Sequence, residues 1–131
     1  MDEAAQVIAR LTAAGRTLVS AESCTGGLLG KLLTDVPGAS AVYLGGIISY
    51  AYARRMAEGA RSLLGADYAL SVTGNAGPGT DEKNPRVGEI FVACADAAGT
   101  RCVRLECGGT RAENREAACR AALRLLLECA V

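Results

Sequence analysis

The sequence has no histidine. That absence excludes a Ser-His-Asp triad and a Cys-His dyad, so a base must come from Lys, Asp, Glu, Tyr or a water. Lysine is scarce as well, with Lys31 and Lys83 the two present. Net charge is also lacking: 14 basic and 14 acidic residues cancel. The overall balance therefore points to neither nucleic acid nor a membrane surface, and only a local arginine cluster could supply an anion site. No apolar run approaches the roughly 20 residues of a membrane span. The six cysteines (Cys24, Cys94, Cys102, Cys107, Cys119 and Cys129) contain no C-x-x-C pair. With no histidine to join them, a zinc site is not expected, and most read as small buried apolar residues. There is no internal repeat, linker or low-complexity segment. The start, "MDEAAQVIARL", is acidic and amphipathic, unlike a signal peptide. A cytoplasmic protein with one domain over residues 1–131 is the expectation.

Periodicity divides the chain. Residues 2–14 read as a helix with Asp2 as cap, a stripe of Ala4, Val7, Ile8 and Leu11, and Gly15 as stop. "TLVSA" (17–21) reads as a buried strand. A helix is expected over 26–36, ended by Pro37-Gly38, then a strand over 41–50 with a Gly-Gly irregularity. Residues 52–64 return to helical spacing, and 67–74 form a strand that runs into a Gly- and Pro-rich loop, 75–86. Strands over 87–96 and 100–107 make a hairpin. A long helix, 111–130, carries Ala117, Ala118, Ala121, Ala122, Leu125, Leu126 and Cys129 on one face. Leu123 and Leu127 widen that face enough for a partner subunit to cover it. The order α-β-α-β-α-β-β-β-α predicts a layered α/β domain with a mixed sheet.

Three polar loops follow predicted strands: 20–27, 73–86 and 108–115. Ligands of open α/β sheets sit at the carboxyl ends of strands, so convergence of these loops would build one pocket. "SAESCTGG" (20–27) suits two jobs. Its hydroxyls can cap a helix, or one can act as a nucleophile beside the free N–H groups of a helix start. Arg111 and Arg115 lie one helical turn apart on one face and suit a small anionic ligand. The plainer reading is a set of turns, caps and a solvated helix face. Lys31 lies about 12 Å along the helix axis from Ser23, too far for a base, and reads as a surface charge.

The motifs "AESCTGG", "LTDVPGAS", "ISY", "MAEGAR", "GADYALSVTGNAGPG" and "VGEIFVA" occur in this order. Together they resemble the CinA C-terminal domain family over nearly the whole chain. The stand-alone members of that family are nicotinamide-nucleotide amidases. The resemblance implies a three-layer α/β/α fold, a homo-oligomer, and no metal or cofactor. The implied reaction, part of pyridine-nucleotide recycling, hydrolyses the carboxamide of nicotinamide mononucleotide to nicotinate mononucleotide and ammonia. It implies Ser23 as nucleophile, with Cys24, Thr25, Gly26 and Gly27 in the turn beside it. It further matches Tyr50 to the tyrosine at a strand end, and Thr73, Gly74, Ala76, Gly77, Pro78 and Gly79 to a T/S-G-x-A-G-P-G loop. Arg111 and Arg115 match its helix start.

Three departures stand out. Asn75 replaces the family's usual isoleucine, and "EKNPRVG" is longer than its usual "EKPVG". After Tyr50 about 25–30 residues are absent, far more than an ordinary loop. The lysine that the family pairs with its serine lies in that stretch. If a strand ends at Tyr50 and a helix begins by Tyr52, almost no turn is left. A non-catalytic nucleotide- or protein-binding module and an amidase for a different small amide are therefore the rival expectations.

Overall fold

The computed structural model describes residues 2–49, 53–80 and 85–130. Helix α1 (Glu3–Ala14) starts where the Asp2 carboxylate accepts from the Ala5 amide at 2.8 Å, a cap worth about 1 kcal/mol. It stops at Gly15 in the left-handed conformation. Strand β1 (Leu18–Glu22) is buried along its whole length. After it, α2 spans only Leu28–Thr34, shorter than the sequence spacing predicts, because Gly26 and Gly27 take positive φ and stay outside the helix. A short 3-10 turn, Ala39–Ala41, precedes β2 (Tyr43–Ile48). Helix α3 (Ala53–Leu64), β3 (Tyr68–Gly74), the β4–β5 hairpin (Glu89–Asp96 and Gly99–Glu106) and α4 (Arg111–Cys129) complete the chain.

The sheet order is β2-β1-β3-β4-β5. The first three strands are parallel, and β4 and β5 run antiparallel to their neighbours. This is the expected mixed sheet. One face packs against α1, α2 and α4, burying Val7, Leu11, Leu29, Leu33, Leu123 and Leu126 against Leu18 and Leu70. The other carries α3, whose Met56, Ala57 and Ala60 meet Val19, Ala21 and Ala69. The layering is therefore α/β/α. Among the described residues no helix is long and apolar enough to cross a membrane.

Two sequence expectations need correction. Strand β2 ends at Ile48, not at residue 50, ahead of the join to α3. The join itself, Tyr50 included, lies outside the described residues. On α4, Ala117 is exposed, whereas Cys119 and Asn114 are buried. The buried face is rotated toward those two residues because α4 packs against both α1 and the sheet.

The topology gathers the loops. Parallel β1 and β3 both finish at one edge of the sheet. Antiparallel β4 starts there, since Gly74 pairs with Ile90, and β5 finishes there, since Glu106 pairs with Glu89. Gly74 holds this corner with φ +147, and a Cβ on it would run into Glu89 O and Ile90 Cα. A Gly74→Ala protein is expected to lose about 3 kcal/mol of stability through backbone strain and overlap. The midpoint of urea unfolding reports it; an unchanged midpoint would mean that the corner can yield.

Candidate active site

Ser23 is the first residue beyond β1. Its amide donates to Val72 O at 2.9 Å, which extends the β1–β3 pairing by one step. The side chain turns toward β3, where Oγ donates to Thr73 Oγ1 at 2.9 Å and lies 3.5 Å from Val72 O. Only 6% of the residue is exposed. Its partners are thus a hydroxyl and a carbonyl. No described Lys, Asp or Glu forms a hydrogen bond with Ser23 Oγ. Lys31 pairs with Asp35 at 2.6 Å on the surface, as its spacing predicts, and Lys83 lies outside the described residues.

The 23–27 turn is built on a residue that sequence reasoning passed over. Glu22, 2% exposed, turns its carboxylate into the start of α2. Oε1 accepts from Thr25 Oγ1 at 2.7 Å, from the Gly27 amide at 3.2 Å and from the Leu29 amide at 2.8 Å. Oε2 accepts from the Gly30 amide at 2.9 Å. A carboxylate suits the unpaired N–H groups and positive end of a helix start. The expected anion site at that start is therefore already filled from within. The Gly26 and Leu28 amides are likewise taken, by Ser23 O and Thr25 O. What remains is earlier in the turn: the Cys24 and Thr25 amides are not among the donors engaged by described residues.

Cys24 is half-buried. Burial pushes its thiol above the ordinary value, against opposing pulls from its own backbone amide and from Arg111 and Arg115. Both guanidiniums therefore lie close to the turn, as the helical spacing predicts. Each is also tied down. Arg115 Nη2 donates to Thr25 O at 2.7 Å, and Arg111 Nη1 donates to Gly77 O at 2.6 Å. Arg115 Nε is buried with no partner among the described residues. Thr25, fully buried, is thus a fixed strut between Glu22 and Arg115 and offers no free hydroxyl.

The third wall is the 74–80 loop. Asn75 Oδ1 accepts from the Gly77 amide and Asn75 Nδ2 donates to Gly79 O, each at 2.8 Å. This departure from the family's isoleucine thus braces the loop from within. Buried Asn114, also unread from the sequence, donates from Nδ2 to Ala76 O at 3.1 Å and accepts from the Gly109 amide at 2.9 Å. It fastens the loop to the start of α4, where Thr110 and Glu113 cap the helix reciprocally. The signal for Asn114 was an amide on the apolar side of a helix, which reads as a core polar residue until its partners are known.

The structure thus brings together Ser23, Cys24, Thr25, Gly26, Gly27, Thr73, Gly74, Gly77, Arg111 and Arg115, while Tyr50 lies outside the described residues. Among the described residues no cluster of His, Cys, Asp and Glu could hold a metal ion.

The fold and the loops at its strand ends define a layered α/β protein with a small polar site at one edge of the sheet. The chain belongs to the CinA C-terminal domain family, whose profile matches residues 2–53 and 48–130. A CinA-like protein of Anaeromyxobacter sp. (strain Fw109-5) is 42% identical over 148 residues, which cover 93% of this chain and 36% of that protein. The chain spans about a third of the length of such curated relatives. Among solved structures, the competence/damage inducible protein CihA from Agrobacterium tumefaciens superposes with a TM-score of 0.88 at 31% identity, covering 96% of this chain and 92% of that one. A CinA superfamily protein from Klebsiella pneumoniae 700603 gives 0.90 at 25% identity, with 96% and 94% covered.

Two of these figures bear on the stretch missing after Tyr50. The family profile matches in two pieces that overlap at 48–53. And 93% of 131 residues is about 122, so roughly 26 of the 148 aligned positions have no counterpart in this chain.

Proposed function

We propose that this site hydrolyses the carboxamide of nicotinamide mononucleotide, releasing nicotinate mononucleotide and ammonia, with Ser23 as nucleophile. The observation that carries the reading is the Ser23 hydroxyl at a strand end, followed at once by two amides that donate to no oxygen among the described residues and flanked by two guanidiniums. In this reading Ser23 Oγ attacks the carboxamide carbon, and the Cys24 and Thr25 amides donate to the oxyanion that forms. The amide of the residue after a nucleophile is a common oxyanion donor at strand-to-helix turns. The serine proton passes by way of Thr73 Oγ1 to water. Collapse of the tetrahedral species breaks the C–N bond, and the nitrogen leaves as ammonia with a proton from that water. A second water then cleaves the acyl-serine ester.

The phosphate would lie against Arg111, which is exposed and engages Gly77 O through Nη1 alone. Guanidiniums suit phosphate through paired N–H donors. Arg111→Gln is expected to raise KM for the nucleotide about tenfold, the worth of one charge-assisted contact, with little change in kcat. Arg115→Gln should act on stability more than on KM, since Arg115 braces Thr25. Steady-state kinetics with both variants test this; an unchanged KM in Arg111→Gln would move the phosphate elsewhere.

A second reading is nucleotide binding without turnover. It is favoured by the interruption of the family match at 48–53 and by the lack of a described base at Ser23. Incubation with nicotinamide mononucleotide, with ammonia measured alongside binding by calorimetry, separates the two. Ammonia release supports the amidase, binding alone supports the module, and neither would remove both.

A further inference from the structure

Cys94 is the sixth of the eight residues of β4, and its register partner across the hairpin is Arg101 of β5. The Arg101 side chain reaches from there to the end of α4. Its Nη1 donates to Cys129 Sγ at 3.5 Å, and its Nη2 pairs with Glu128 at 3.4 Å. Cys129 is the last residue of α4, and it packs against the same core cluster that holds Cys94. Two cysteines far apart in sequence therefore share one arginine as neighbour. They differ in access: Cys94 is 2% exposed, whereas Cys129 is half-buried at a helix end. Cys102 packs on the opposite face of the sheet, against the α3 cluster, and is not part of this group.

We propose that Cys94 and Cys129 are an oxidisable pair, which hydrogen peroxide converts into an intrachain disulfide tying the end of α4 to β4. The more accessible sulfur reacts first. Cys129 loses its proton to solvent and attacks the peroxide. A sulfur–oxygen bond forms, the O–O bond breaks, and hydroxide leaves and takes up a proton as water. The Arg101 guanidinium beside the sulfur donates to the departing oxygen. Cys94 then attacks the Cys129 sulfenic acid, forms the S–S bond and releases a second water. Two thiols are oxidised and one peroxide is reduced. Cys94 needs no access to the oxidant, because its partner brings the oxidised sulfur to it. The last turn of a helix has few contacts to restrain a small closing shift. The pair is independent of the chemistry proposed for Ser23.

The test exposes the full chain to a mild excess of hydrogen peroxide, then quenches, denatures and alkylates it. Two of the six thiols should become unreactive, and the unalkylated mass should fall by about 2 Da for the two hydrogens lost. One cross-linked peptide should join Cys94 to Cys129, and dithiothreitol should reverse the change. Cys129→Ser should leave Cys94 reduced. Cys94→Ala should leave a Cys129 sulfenic acid that a dimedone-type reagent traps. Cys102→Ser should behave as the parent, and Arg101→Gln should oxidise several times more slowly. Six free thiols after treatment would overturn the proposal. So would a cross-link between other cysteines or between chains, or Cys129 sulfinic acid with Cys94 still free.

Discussion

Replacing Ser23 with alanine is expected to lower ammonia release from nicotinamide mononucleotide by a factor on the order of a thousand or more, as loss of a covalent nucleophile does elsewhere. The fold should survive, because the Ser23 side chain carries only a hydrogen bond to Thr73 and a long one to Val72 O, while the strand pairing runs through its amide. Nucleotide binding measured by calorimetry should persist, since the guanidiniums and the 74–80 loop are untouched. Cys24→Ala is the control. Burial holds the Cys24 thiol above its ordinary value, so at neutral pH it is protonated and a poor nucleophile. Its removal should leave most of the activity in place. Undiminished ammonia release from Ser23→Ala, or its loss from Cys24→Ala alone, would sink the assignment. Parent protein that binds the nucleotide and releases no ammonia would transfer the site to the binding reading.

Much of this architecture is written in local signals. Asp2 and Gly15 mark the ends of α1 because a cap and a left-handed stop need only their neighbours. The alternation of elements predicts the mixed sheet, and the rule for strand ends predicts where the three loops meet. Errors lie where a distant partner decides. The start of α2 reads as residue 26 by composition, yet it begins at Leu28, since Gly26 and Gly27 must turn the chain so that α2 presents its amides to Glu22. Strand β2 reads two residues too long because no Gly, Pro, Asn or Asp in "IISY" marks a stop, and periodicity cannot see where pairing with β1 ends. Thr25 and Arg115 read as ligand contacts from the family pattern. In the fold they also contact each other, which assigns both a bracing role that spacing alone does not suggest. Asn75 and Asn114 are polar residues whose partners are loop carbonyls and amides, knowable only once β3 and α4 are side by side.

The deepest such omission is Glu22, and its replacement carries the largest expected effect on stability. In sequence it is one acidic residue between an apolar strand and a serine. In the fold it is a buried carboxylate that accepts from the Thr25 hydroxyl and from the Gly27, Leu29 and Gly30 amides. Alanine would strip four donors of their acceptor at once and leave space beside them. Single hydrogen bonds to charged groups contribute about 1.5–3 kcal/mol, and an unpaired buried donor costs about as much. Partial rescue by water at the turn keeps the total below that sum, so Glu22→Ala should lose about 3–5 kcal/mol. For a domain of this size that lowers Tm by roughly 10–20 °C. Glu22→Gln keeps a single carbonyl oxygen. It can serve the three donors now on Oε1, but its amide nitrogen meets the Gly30 amide donor to donor. It should therefore fall between the parent and alanine, at about 1–3 kcal/mol. Thermal and urea unfolding of the three proteins give the order directly. Since the 23–27 turn hangs on this carboxylate, Glu22→Gln should also weaken any chemistry at Ser23 at temperatures where it is still folded. A loss under about 1 kcal/mol in Glu22→Ala would show that the turn keeps its shape without the carboxylate, and that the glycines at 26 and 27 set it unaided.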